Sequence, residues 1–294
     1  MQKITPHLWF DKEVEEAAEF YVSVFPASRI KSKVIVRNTP SDSVDIVNFE
    51  LMGLEFQAIG AGPLFKFNPS ISFFVICTEK EEVDRMWNSL SQGGQVLMEL
   101  GEYPFSERFG WLQDRYGLSW QLIYSGEPQA RPMISPFVMF VGEVCGRAEE
   151  AINFWISVVR DGNINNIMHY GKGEEPDKEG NVKLASFSLF GQEFRALDSA
   201  YEHQFQFNEA ISFIVNCETQ KEIDYFWRAL SADPDAEACG WLKDKFGVSW
   251  QIVPTGLEEM MSGDDLQKID RMTQALLAMK KLDIAELQKA YDGR

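Results

Sequence analysis

Basic residues are scarce in this chain of 294: 28 Lys and Arg stand against 45 Asp and Glu, a formal net charge of −17. That balance argues against nucleic acid and against an anionic membrane as partners, because both are held by clustered cations. The four cysteines, Cys77, Cys145, Cys217 and Cys239, form no CxxC pair, so neither a zinc knuckle nor a thioredoxin-type site is expected. Cys77 and Cys217 each close an apolar stretch and read as buried free thiols at strand ends. No run approaches the ~18 apolar residues of a membrane span, and the opening MQKITPHLWF has no apolar segment of signal-peptide length. A cytoplasmic protein with reduced thiols is the expectation. No GxGxG follows a strand. The GAGP of 60–63 leads into aromatics and a strand, so the turn that cradles a nucleotide-type cofactor is missing.

What the chain has instead is repetition. GWLQDRYGLSWQLI, 110–123, returns as GWLKDKFGVSWQIV, 240–253, with eight of fourteen positions identical. Each copy reads as strand, turn, strand. Asp114 or Asp244 starts the turn, and Gly117 or Gly247 takes its positive-φ position. Other segments repeat with it. EEAAEFYVSVF, 15–25, matches EEAINFWISVV, 149–159; NFELMGLEFQAI, 48–59, matches SFSLFGQEFRAL, 186–197; FKFNPSISFFVIC, 65–77, matches FQFNEAISFIVNC, 205–217. The offset between copies falls from 140 at FKFN (65 to 205) to 130 at the hairpin (110 to 240), so the second copy is shorter just before its hairpin.

Within the first copy, Ile4 to Phe10 reads as a strand, Glu13 to Phe25 as an amphipathic helix ended by Pro26, and Arg29 to Ile59 as three strands. Ile71 to Cys77, Glu79 to Leu90 and the strands up to Ile123 repeat that plan. The fold class is therefore α+β, with four βαβββ modules in two units and a helical tail. The boundaries are 1–126 for the first unit, 127–133 for a linker, 134–256 for the second unit and 257–294 for the tail. In the tail, Asp264 or Ser262 should cap one helix and Asp283 a last short one.

These motifs resemble the vicinal oxygen chelate superfamily, the fold of glyoxalase I, the bleomycin-resistance proteins and the extradiol dioxygenases. ITPHLWFD, FKFNPSISFFVIC and GWLKDKFGVSWQIVP are most similar to its PhnB-like branch, which carries the description 3-demethylubiquinone-9 3-methyltransferase. The resemblance spans both units and the MKKLDIAELQKAYDG tail. It implies that paired modules curl around a cleft, and that the two units of a tandem chain pair with each other. Metal-bearing members set His, Gln or Glu ligands on strands lining that cleft. Here those positions hold Thr5 or His7 with Ser135 and Phe137 as second-unit equivalents, Gln57 or Arg195, Ser70 and Ser72 or Ala210 and Ser212, and Gln121 or Gln251. The only histidines are His7, His169 and His203; they do not occupy repeat-equivalent sites, and a functional metal usually wants three charged or imidazole ligands together.

The expected function is binding of a small molecule, without cofactor or catalytic metal. The candidate ligand-binding residues are His7, Trp9, Phe67, Asn68, Trp111, Gln121, Phe207, Asn208, Trp241 and Gln251. The alternatives are a metal-dependent lyase, isomerase or dioxygenase with a divalent metal on Gln121 or Gln251, and the methyltransferase of the branch description, disfavoured for want of a cofactor motif. Catalytic residues and further assembly into a homo-oligomer are left open. The second unit, with its shortened rim, is expected to hold the decayed cleft. Glu99, Glu102, Glu107 and Arg108 form a loop cluster that reads as solvated charge.

Overall fold

The structure is a computed structural model that describes residues 2–39, 41–127, 131, 133–263 and 265–294. The first module comprises β1 (Ile4–Phe10), α1 (Val14–Val24), β2 (Arg29–Thr39), β3 (Asp42–Leu51) and β4 (Leu54–Gly60). The second comprises β5 (Ile71–Cys77), α2 (Lys80–Leu90), β6 (Gln95–Tyr103), β7 (Ser106–Gln113) and β8 (Ser119–Tyr124). The third comprises β9 (Met133–Phe140), α3 (Ala148–Val159), β10 (Gly162–His169), β11 (Val182–Leu189) and β12 (Gln192–Asp198). The fourth, β13 (Ile211–Cys217), α4 (Gln220–Leu230), β14 (Trp241–Lys243) and β15 (Ser249–Pro254), is one strand short. Its missing strand is the counterpart of β6, which is where the offset between the copies drops. The tail forms α5 (Leu257–Met261), α6 (Leu266–Leu277) and α7 (Ile284–Asp292). Asp283 caps α7 through the Glu286 N–H, as expected; the cap of α6 is Asp265, not Ser262, and Asp264 lies outside the described residues.

The sheets do not follow the sequence units. A seven-stranded sheet runs β14-β15-β13-β1-β4-β3-β2 and joins the fourth module to the first. An eight-stranded sheet runs β10-β11-β12-β9-β5-β8-β7-β6 and joins the third module to the second. The joints are antiparallel pairs, β1 with β13 and β5 with β9. The two units thus pair with each other within one chain, but each sheet face is shared between units. A cleft built from the two modules of one unit is not what forms.

Strand alternation decides which side chains go where. On β1, Ile4, Leu8 and Phe10 enter the common core while Thr5, His7 and Trp9 take the other face, and a one-residue slip would exchange the two sets. The core lies between the sheets and α1–α4. Phe56 of one sheet meets Phe73 of the other at 4.9 Å, and Phe194 meets Phe213 at 5.5 Å. Trp120 and Trp250 are buried in it, each large side chain contributing about 2–3 kcal/mol. Cys77 and Cys217 are fully buried last residues of their strands.

The duplicated hairpins anchor the helices. Asp114 accepts hydrogen bonds from Trp120 Nε1 (2.8 Å), Tyr21 OH on α1 (2.9 Å) and two backbone N–H groups. Asp244 repeats this with Trp250 Nε1 (3.0 Å) and Trp155 Nε1 on α3 (2.8 Å). Burial pushes the Asp114 carboxyl up to about 6 against the pull of these donors, and pushes Asp244 in the same direction.

Candidate functional site

The outward face of the seven-stranded sheet is crossed by a row of polar residues. Register places Asn48 beside Gln57, Gln57 beside His7, His7 beside Ser212, and Ser212 beside Ser249. Residues paired across a ladder share a face, so these side chains form one band. One step along, Gln251 pairs with Ile214 and donates from Nε2 to Ser212 Oγ at 3.0 Å. Gln57 Nε2 donates to Asn48 Oδ1 at 3.0 Å. Each carboxamide nitrogen has spent one of its two N–H groups, so Gln57 and Gln251 each keep a carbonyl oxygen and one N–H for the space above them.

His7 sits between them. It is 3% exposed, more deeply buried than a half-covered strand residue, and its Nδ1 has no hydrogen-bond partner. Burial lowers its pKa to about 3, so the ring is neutral. Trp241 meets it edge-on at 5.3 Å, and Trp9 packs on Phe65 (5.0 Å) and Trp241 (6.2 Å). Trp9 is fixed by its Nε1 donating to the Gly62 carbonyl at 2.8 Å.

The tail makes this face a cleft. Glu258 of α5 accepts from Ser32 Oγ (2.6 Å) and Asn48 Nδ2 (2.9 Å). Gln274 of α6 donates to the Asn38 carbonyl at 2.8 Å. Beyond α6, the Cys239 N–H bonds the Met279 carbonyl (2.8 Å) and the Gly240 N–H the Lys280 carbonyl (2.7 Å). Those bonds satisfy the two residues just before β14, while Ala232 and Ala238 pair with Lys243 and Trp241 along the strand itself, so the edge that lost its β6 counterpart is closed by both. Gly240 allows it: its φ is +88°, and a Cβ there would meet Leu282 at 3.2 Å.

The result is a cleft of about 1400 Å³ lined by β1–β4, β13–β15 and the tail. One end is apolar, with Val34, Val36, Val44 and Ala61 against Trp9 and Met261. Two more buried hydroxyls lining it lack partners: Ser249 Oγ on the floor and Thr273 Oγ1 on the roof helix. Of the charged residues lining it, Lys31 pairs with Glu55 and Lys243 with Glu209.

Of the ten candidate residues, this cleft gathers His7, Trp9, Trp241 and Gln251. Trp111 and Gln121 lie on the eight-stranded sheet, where Gln121 Nε2 donates to Ser72 Oγ at 2.9 Å. Phe67 and Phe207 pack on the core rings Phe10 and Phe140. Asn68 and Asn208 staple the two loops reciprocally, Asn68 Nδ2 to the Gln206 carbonyl (2.9 Å) and Asn208 Nδ2 to the Lys66 carbonyl (2.8 Å). His169 pairs with Glu149 and His203 with Ser199; Glu99, Glu102, Glu107 and Arg108 lie on strands β6 and β7 instead of in a loop, and Arg108 pairs with Asp84. Asn48, Ser249, Glu258 and Thr273 went unnoticed in the sequence, because the cross-unit register and the position of the tail bring them here. The expectation that the shortened unit holds the decayed cleft is overturned: its short β14 forms one wall of the large one.

Among the described residues, no three His, Cys, Asp or Glu side chains come together as a metal-binding group, and no helix is long and apolar enough to cross a membrane.

The sequence profile of the family described as 3-demethylubiquinone-9 3-methyltransferase matches residues 2–123 and again 132–253. A PhnB protein from Bacillus cereus is 43% identical over 42% of this chain and 100% of its own, with a TM-score of 0.40. A protein from Staphylococcus aureus is 30% identical over 42% of this chain and 97% of its own, at a TM-score of 0.18. Glyoxalase I from Zea mays covers 87% of this chain and 95% of its own at 13% identity and a TM-score of 0.52, a likeness of fold. Comparison with curated proteins finds no match. The chain has the fold of glyoxalase I and, matched by the family profile in both of its units, belongs to the 3-demethylubiquinone-9 3-methyltransferase family.

Proposed function

We propose that this chain binds an uncharged, ring-bearing small molecule in the roofed cleft. A hydroxyl or N–H of that ligand sets against His7, Gln57 and Gln251, and its apolar body extends toward Val34, Val36 and Trp9. The observation that carries this reading is the buried, neutral His7 with an unpartnered Nδ1 in the wall of a large cleft. Leaving such a group unpaired costs about 1–3 kcal/mol, which a ligand supplying the partner removes. The flanking carboxamides each offer an oxygen and a second N–H, which a hydroxyl, donor and acceptor at once, can meet, and a mostly apolar wall with few convergent polar groups is the usual make-up of a small-molecule site.

The inner donors do not fit a firmly held divalent metal. One imidazole, two carboxamide oxygens and a hydroxyl bring no negative charge, whereas such sites ordinarily use imidazole, thiolate or carboxylate ligands. The carboxylate of Glu258 stands at the end of the row beside Asn48, two strands from His7 or roughly 10 Å at the usual strand spacing, and is engaged there. No reaction step is therefore routed through a metal. The methyltransferase of the family description is a second reading. It would need a place for a charged, nucleotide-like methyl donor, and the loop after β4 leads to a strand instead of a helix. Titration with S-adenosylmethionine tests it directly.

For the main reading, 2-naphthol and 2-methoxynaphthalene differ in one hydrogen-bond donor. Calorimetry should show 2-naphthol bound at least tenfold more tightly by the wild type, and that preference lost in His7→Phe. Equal affinity for both compounds, or a preference that survives His7→Phe, would refute the reading.

A further inference from the structure

The outward face of the eight-stranded sheet has the same register as the roofed cleft but different chemistry. Where Gln57, His7 and Ser212 stand side by side, this face has Arg195, Phe137 and Ser72. Arg195 lies over the Phe74 ring at 4.7 Å, its side chain 15% exposed. Its Nε has no partner. The nearest carboxylate oxygen, on Glu193, is 3.8 Å from Nη2, beyond hydrogen-bond reach; its other oxygen already accepts from Asn165 at 2.7 Å. The ladder partner of Phe74 is Ser135, which is fully buried and whose Oγ is also unpartnered. Around these groups Phe74 and Phe137 stack at 5.9 Å, and Trp111, Ile123 and Leu197 complete a half-buried apolar platform. Among the described residues, none of the tail packs on this apolar cluster.

A guanidinium carries five N–H donors in a planar fork suited to a carboxylate, sulfonate or phosphate. Removing it from water with a single carboxylate at a distance leaves much of its solvation unreplaced. Burial duly lowers the pKa of Arg195 and raises that of Glu193. In a chain of net charge −17, a cation laid inward on aromatic rings beside an unpartnered hydroxyl is a local recognition feature.

We propose that this face is a second binding site, specific for an organic anion with a flat apolar body: the anion pairs with Arg195 and Ser135, and the body lies on Phe74, Phe137 and Trp111. Its ligand class differs from that of the roofed cleft, so the two sites stand or fall separately.

The test uses two fluorescent probes that differ by one sulfonate, 1-anilinonaphthalene-8-sulfonate and neutral N-phenyl-1-naphthylamine. Both are titrated into the full chain, the Arg195→Gln variant and the Arg195→Lys variant. Arg195→Gln is expected to weaken the sulfonate about tenfold or more, the loss typical of a charge-assisted hydrogen bond, and the neutral probe less than twofold. Arg195→Lys should lose less. Unchanged sulfonate affinity in a folded Arg195→Gln overturns the proposal. If that variant does not fold, displacement of the sulfonate probe from the wild type decides. Benzoate displacing it while benzyl alcohol does not supports the site; equal displacement, or none by benzoate, overturns it.

Discussion

The two outward faces are the same device with different contents. Both put a module of each unit on either side of an antiparallel pair, and both have a glutamine donating to a serine on the neighbouring strand, Gln251 to Ser212 and Gln121 to Ser72. They part at two central positions. One face holds neutral His7 and Gln57 under a helical roof; the other holds Phe137 and Arg195, with none of the described tail packed on its apolar cluster. Duplication preserved the scaffold, since the ladder register and the Asp-anchored hairpins leave little freedom to vary. The side chains pointing away from the core were free to diverge. The loss of the β6 counterpart also left Cys239 and Gly240, just before β14, for the tail to bond.

Cutting the chain after Thr255 should produce the largest effect. It removes the roof, uncovers Val253, which packs on Leu257, Met272, Leu282 and Leu287, and leaves the Cys239 and Gly240 N–H groups without their tail partners. Losing that cover and two backbone hydrogen bonds, the chain should show in urea unfolding a loss on the order of 5 kcal/mol, together with loss of 2-naphthol binding. If the truncated chain keeps its affinity for 2-naphthol, the roof is no part of the site.

Next in size is a graft of one face onto the other. His7→Phe combined with Gln57→Arg gives the first row the residues of the second. It should weaken 2-naphthol by about 100-fold, near 3 kcal/mol, as measured by calorimetry, while circular dichroism remains that of the wild type. A loss below threefold would show that the two faces do not differ where the comparison says they do.

The third effect separates the faces by pH. The His7 imidazole stays unprotonated in the folded protein down to about pH 3, while in the unfolded chain it takes up a proton near its ordinary 6.5. The unfolded state binds more protons in that window, so stability is lost as pH falls below 6.5, at about 1.4 kcal/mol per unit from this group. The Phe137 face has no such group. His7→Phe should therefore show a shallower acid dependence of its urea midpoint than the wild type, and identical slopes would contradict a buried neutral His7.

Much of this was legible in the sequence, for identifiable reasons. The Asp114 and Asp244 turns, the Met52–Gly53 hairpin and the helix faces follow from local rules; Gly117 and Gly247 have φ of +87° and Met52 and Gly53 have φ of 49° and 88°. The parity of Thr5, His7 and Trp9 follows from alternation alone. The partners of that face did not follow, because His7 meets Ser212 through a pairing more than 200 residues away in sequence, and nothing local fixes which module joins which. Asp114 and Asp244 also reach further than turn residues, tying Tyr21 and Trp155 of the helices to the hairpins. For the tail, periodicity indicated α6 but not where it would lie, so Thr273 and Glu258 could not be placed in a site.

The smallest expected effect concerns that roof. Thr273→Val replaces an unpartnered buried hydroxyl by a group of the same shape, so stability should hold or rise by up to about 1 kcal/mol. A drop of more than 1 kcal/mol in urea unfolding would mean that the hydroxyl has a partner and that the roof sits differently on the cleft.

The most direct test of the central claim is the His7 ring itself. In protein with ¹⁵N-labelled histidine, the imidazole nitrogens can be followed by NMR as 2-naphthol is added. With His169 and His203 as internal references, the account predicts neutral-ring shifts for His7 in the free protein and a selective change at its Nδ1 as the compound saturates. Binding of 2-naphthol that moves His169 or His203 and leaves His7 unchanged would contradict it.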